Sequence, residues 1–394
     1  MIRAGLLLVG SVLSAWALTG AERASAAPVA GSVRHALDAA AAVPPTEALA
    51  LLRSIVGTTP GERLDLEVAR EGLAVDAQLS RAPAGPARYA LQVQRSSGTI
   101  DLAAARERID REYRRLALRA DRLFRSIGMR QGSVGERYRT LWSDPRSRYP
   151  DSDAGRDRAV TDMNRTLTEV QLKLARWFGP LPAAVLGVRT SRMIPADEAK
   201  RRAGYRELPG ATSPGGYFVD LADIARRPNW SLPAVVRHEL LPGHMIQLPA
   251  EARAEPHPLR LRYAAAFSEG WATYAEALAA DDTDPRVALG NIHWLLFRLC
   301  RARVDFGMHL DGWSDARAMA ELEACQGVSA YFAPFTVDVA RIRAEPAIRV
   351  GDLLVWLAIA DAAQGRRGAR LIHLHEALVR NGRMRLDGIV RAGR

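Results

Sequence analysis

The stretch His238-Glu239-Leu240-Leu241-Pro242-Gly243-His244 constrains this chain more than any other. Without Pro242-Gly243 it reads His-Glu-Leu-Leu-His, a helical pattern in which two His one turn apart share a face and bind Zn²⁺. The Glu beside the first His serves there as base toward a water activated by the metal. Here the two His lie six positions apart, about 600° of helical rotation and so roughly 120° out of register. An unbroken helix cannot present both to one ion. Proline disfavours helical geometry in the residue before it, and glycine permits backbone angles closed to other residues. The pair therefore predicts a local bulge that returns His244 to the face of His238.

A third donor is needed, and Glu269 in Phe267-Ser268-Glu269-Gly270-Trp271-Ala272-Thr273-Tyr274-Ala275-Glu276 supplies a candidate. At helical spacing Glu269 shares a face with Thr273 and Glu276, flanked by Phe267 and Trp271. A carboxylate among apolar neighbours needs a partner, because buried charge without one is costly. A metal ion is one such partner, and one of the many arginines is the other. Glu276 is either a rival ligand or a second carboxylate that orients a ligand His.

Composition narrows the class. The 394 residues are 48% hydrophobic and 25% charged, which is globular usage with ample material for a core. The net charge is +11, and with Lys173 and Lys200 the only lysines it is almost wholly arginine. Those arginines are scattered at helical spacings and no recognition motif accompanies them, so solvated helix faces are expected rather than nucleic-acid binding. Residues 1–26 read as a signal peptide: Arg3, an uncharged apolar run from Ala4 to Gly20, then Ala24-Ser25-Ala26 as a cleavage pattern. Export, with no stable membrane insertion after cleavage, follows. Cys300 and Cys325 carry no CxxC signature and sit in apolar helical contexts, so a disulfide and two buried thiols are both open. Any metal would be held by His and carboxylate.

Along the chain the pattern is helical. Amphipathic helices are predicted over 102–126 and 157–177, further ones over 262–280 and 291–310, and a helical tail over 351–389 interrupted at Gly365 and Gly368. Ser231 and Pro233 mark the start of the helix that carries His238 and Glu239. Tyr217-Phe218-Val219 is the one convincing strand. The expected fold is all-α with a small β element. After the leader, an N-terminal helical region (27–200) and a metal-site helical region (201–394) are expected to run together as one domain.

Arg301, Asp305 and His309 are spaced by four. On that spacing Asp305 is a candidate to hold a ligand His in its tautomer, and His309 to donate to a developing oxyanion; an ordinary intrahelical pair is the alternative. Tyr217 and Tyr274 are candidate substrate contacts. His373 and His375 read as structural, and His35 and His257 as surface residues.

These blocks together resemble the bacterial domain-of-unknown-function 885 family, metallopeptidase-like proteins marked by His-Glu-x-x-Pro-Gly-His-x-x-Gln. Here that motif is His238 to Gln247; the Glu-Gly-Trp-Ala-x-Tyr-x-Glu block is Glu269 to Glu276, and the Val-Asp-x-Gly-x-His-x-x-Gly-Trp block is Val304 to Trp313. The resemblance implies an all-α zincin-like fold of the two-His-one-Glu class. It implies one Zn²⁺ per chain on His238, His244 and Glu269, with Glu239 as general base and a short peptide as substrate. Two departures stand out. Met245 replaces a second His, and the family's Pro-Gly-Gln-Ala-x-x-Tyr-Lys-x-Gly block survives only as Glu345 to Asp352, with Asp352 at the tyrosine position. An exported zinc metallopeptidase is the expectation, and a catalytically impaired, metal-containing peptide-binding protein is its alternative.

Overall fold

The structure is a computed structural model that describes residues 32–200, 203–210 and 213–394; the predicted leader lies outside them. Helix Leu102–Ser126 forms as its pattern requires. Asp101 caps it by accepting from the amides of Ala103 and Ala104, and Ile109, Leu116, Ala120 and Phe124 turn to the core. Its partner is Pro285–Leu310, capped by Asp284 and buried over most of its length. That helix begins earlier than its apolar pattern suggests because Asp284-Pro285 is itself a start signal.

The predicted 157–177 helix runs from Asp153 to Gln171, capped by Ser152. The predicted 262–280 helix is two, Pro258–Tyr263 and Ala266–Leu278. The tail is three, Ile348–Ala363, Ala369–Val379 and Leu386–Ala392. Ser231 does not cap the His238 helix. It lies in a short 3₁₀ turn, and its hydroxyl donates to the Pro228 carbonyl at 2.7 Å.

Among the described residues three short strands complete the fold: β1 (Arg189–Arg192), β2 (Tyr205–Glu207) and β3 (Gly216–Val219). β3 is central, parallel to β1 and antiparallel to β2. In this register Arg206 lies opposite Tyr217, so both side chains leave the same face of the sheet. The main core draws on both sides of residue 200, from Tyr89 to Ile389. A smaller core joins the first three helices to Leu259 and Tyr263. His257 belongs there rather than at the surface. It is buried, accepts from the Leu259 amide and faces Asp38 at 3.0 Å. Cys300 and Cys325 are paired in a disulfide. Among the described residues no helix is long and apolar enough to cross a membrane.

Candidate metal centre

The helix breaks where Pro242-Gly243 predicts, but by more than a bulge. Leu232–Glu239 ends, Leu240 to Gly243 turn back, and a new helix, His244–Ala254, begins at the second His. Gly243 cannot be exchanged for a larger residue, because a Cβ there would stand 1.9 Å from the His238 carbonyl oxygen. The amide of Gly243 donates to the Arg237 carbonyl at 3.0 Å, which closes the turn. From the neighbouring helix, Trp271 Nε1 donates to the carbonyls of Pro242 (3.3 Å) and Gly243 (3.2 Å).

The result brings both imidazoles to one carboxylate. Nε2 of His238 and Nε2 of His244 each lie 3.3 Å from an oxygen of Glu269, one to Oε2 and one to Oε1. The two rings are 4.9 Å apart and nearly perpendicular. One donor atom from each of the three residues falls within 4.8 Å of the others, so the group could hold a metal ion. The donor set fits that use. His244 Nε2 is buried without a hydrogen-bond partner, the state of a lone pair kept for an ion. Burial, then the nearby Arg206, pushes the His244 imidazole down to about 4, so it is neutral, as a ligand must be.

Each candidate ligand His has a support. Ser268 Oγ lies 3.4 Å from His244 Nδ1 and donates to Gln247 Oε1 at 3.0 Å. Gln247 in turn donates to Glu251, which pairs with Arg383. Glu276 is fully buried, with Oε2 at 3.5 Å from His238 Nδ1 and 3.3 Å from Arg298. It thus faces the far side of the His238 ring from Glu269. Arg298 Nη2 stands against the same ring, 2.9 Å from Nδ1 and 3.3 Å from Nε2. Burial and the charge of Arg298, 2.9 Å from Nδ1, push the His238 imidazole down; Glu269 and Glu276 outweigh them and leave it above its ordinary value.

Glu239 does not join the ligand group. It is ion-paired with Arg206 of β2. Burial pushes its carboxyl up, but the Arg206 guanidinium holds it below the usual range. His238, Glu239, Glu269, Glu276 and Arg298 open on a cavity of about 230 Å³, lined further by Tyr217, Tyr331, Arg301, Arg349 and Asp352. Burial, with Glu269 adding its charge, pushes the Asp352 carboxyl up to about 8.

Three predicted site residues lie elsewhere. Asp305 accepts from the Tyr89 hydroxyl at 2.8 Å and the Ala347 amide at 3.1 Å, and so holds no ligand His. His309 Nε2 donates to the Ile342 carbonyl at 2.9 Å and its ring stacks on Tyr89. The spacing put them on roughly the right face but not at the right depth. Arg298 is the residue of this helix that touches His238, and His309 lies 11 residues further on, about 16 Å along the axis. Asp305 instead anchors Ala347, at φ 73°, just before the helix that carries Arg349 and Asp352. Tyr274 turns into the core, where its hydroxyl meets His375 Nε2 at 2.8 Å; Tyr217 does face the cavity.

Arg206, Arg298 and Ser268 were missed from the sequence. A single arginine among 55 lysines and arginines carries no local signal.

In fold, the chain is similar to two bacterial proteins of known structure. One, from Colwellia psychrerythraea and described as a "putative lipoprotein", matches with a TM-score of 0.68 at 22% identity, over 91% of this chain and 68% of the other. The second, from Shewanella oneidensis and described as a "putative lipoprotein of unknown function", gives 0.61 at 15% identity, over 91% of this chain and 73% of the other. No curated protein sequence matches. The family described as "Bacterial protein of unknown function (DUF885)" matches residues 12–391, nearly the whole chain, and the protein belongs to that family.

Proposed function

We propose that the protein is an exported zinc-dependent peptidase of zincin-like type that cleaves short peptides. The observation that carries this reading is the convergence of His238, His244 and Glu269 on one point, beside Glu239 and at the wall of a cavity. Three protein ligands leave a zinc position open, which distinguishes catalytic from structural sites. One Zn²⁺ per chain would be held by these three residues and would supply Lewis acidity at the scissile carbonyl and a more acidic water.

The chain's own residues do the rest. Glu239 takes a proton from the attacking water and delivers it to the leaving amine. Arg206 holds that carboxylate ionised, and Tyr217, beside it in the sheet register, faces the substrate space. Glu276 and Ser268 hold the two imidazoles in orientation. Export rests on the predicted leader and on the lipoprotein descriptions of the two structural neighbours.

Glu239→Gln tests the reading, with zinc content and peptide turnover measured on the same protein. Zinc retained near one per chain and turnover reduced by roughly 10²- to 10⁴-fold is the expected result. A His238→Ala/Glu269→Ala double variant should lose the metal. The Arg206–Glu239 pair also favours a second reading, a metal-containing peptide-binding protein with its base tied up. Turnover that is absent in the wild type, with peptide binding intact, would select it.

A further inference from the structure

The helix Pro285–Leu310 sends four side chains into the cavity at i, i+3, i+4 and i+7: Trp294, Phe297, Arg298 and Arg301. That spacing is one stripe of a helix. It divides into two halves. Trp294 and Phe297 meet edge to face at 5.6 Å, and Phe332 closes a three-ring box, 6.2 Å from Trp294 and 5.9 Å from Phe297. Phe332 is 44% exposed although large and apolar, at the rim of the same cavity.

Beside the box stand three guanidinium groups. Arg349 lines the cavity with Arg298 and Arg301. Each is held by an acid: Arg298 by Glu276 at 3.3 Å, Arg301 by Asp338 at 3.0 Å and Arg349 by Glu345 at 2.7 Å. A guanidinium carries five N–H donors in a rigid fork, so one carboxylate contact leaves donors over. Arg301 Nε is buried with no partner. Its guanidinium also lies 4.5 Å from the centre of the Phe297 ring, where the aromatic and cationic halves join.

Glu239, Glu269, Glu276 and Asp352 line the same cavity, so the case for an entering anion rests on the donors these guanidinium groups have left over, Arg301 Nε above all. We propose that this cavity receives the C-terminal residue of a peptide, its α-carboxylate on Arg301 and Arg349 and its aromatic or large apolar side chain in the Trp294/Phe297/Phe332 box. The inference rests on the reading of the centre as a peptidase and narrows it to cleavage close to a free carboxyl end.

The test compares N-acetyl-glycyl-phenylalanine with its C-terminal amide. Binding is measured by calorimetry on the full chain with its metal, carrying Glu239→Gln so that neither ligand is consumed. Wild-type turnover of longer peptides with free and amidated ends is measured separately. The acid should bind at least about tenfold more tightly than the amide, the range of a charge-assisted contact. Arg349→Gln should bring the two within about twofold, Arg349→Lys should restore part of the difference, and Phe332→Ala should erase the preference for phenylalanine over glycine at the end. Equal binding of acid and amide, or no binding of either to folded, metal-containing protein, would overturn the anchor even where the wild type cleaves peptides. A preference for the acid with no wild-type turnover would keep the anchor and remove the peptidase reading. The acid–amide comparison stands if Arg349→Gln fails to fold, and Phe332, being exposed, gives an independent variant.

Discussion

Trp271 Nε1 lies 3.2 Å from the Gly243 carbonyl oxygen, so the helix that supplies Glu269 also fixes the turn that supplies His244. Two of the three candidate donors, Glu269 and His244, are thus set by one contact. Trp271→Phe keeps most of the packing and removes the donor. It should cost about 1–2 kcal/mol of stability and loosen metal binding, read by zinc titration against a competing chelator. Gly243→Ala should be worse. With a Cβ 1.9 Å from a backbone oxygen, the turn must open, and the protein should lose its metal as well as stability.

Arg206 and Glu239 come from a strand and a helix and meet at the centre. Arg206→Met removes the cation that holds the Glu239 carboxyl down against burial, so that carboxyl's pKa must rise. The acidic limb of the kcat/KM profile should then move to higher pH, while the alkaline limb stays in place. An unmoved acidic limb would show that Glu239 is not the group whose protonation stops the reaction.

His375 is fully buried, between the Tyr274 hydroxyl and the Trp177 carbonyl, 2.8 Å from each. Burial pushes it down from 6.5 to about 4, so protonation favours the unfolded chain. Its contribution is fully present above about pH 6.5 and drains away as pH falls toward 4, up to roughly 3 kcal/mol in all. His293, buried and pushed down to about 4 by the same cause, adds to that slope. In chemical denaturation at pH 7 and pH 4.5, His375→Gln should lose less stability than the wild type on acidification.

The Cys300–Cys325 disulfide ties the buried central helix to the next one, across 25 residues. Closing a loop of that length is worth about 3 kcal/mol through the unfolded chain. A Cys300→Ala/Cys325→Ala variant should melt at lower temperature by that equivalent and keep its metal, since neither cysteine belongs to the candidate donor group.

The sequence by itself determined that a helix must break at Pro242-Gly243, that His238, His244 and Glu269 are the donors to consider, and where Leu102–Ser126 begins and ends. These are short-range facts: rotation per residue, the Cβ that glycine lacks, a cap and a period. What only the tertiary structure decided depends on contacts between segments far apart in the chain. The four-residue spacing of Arg301, Asp305 and His309 fixed their direction around the helix but not their distance along it from His238. The wild-type pair Arg206–Glu239 depends on the register of β2 with β3, and the pairing of Cys300 with Cys325 on how two helices pack. Arginine is so frequent here that those at the cavity look in sequence like those in solvent. Only the fold separates a guanidinium facing the centre from one facing water.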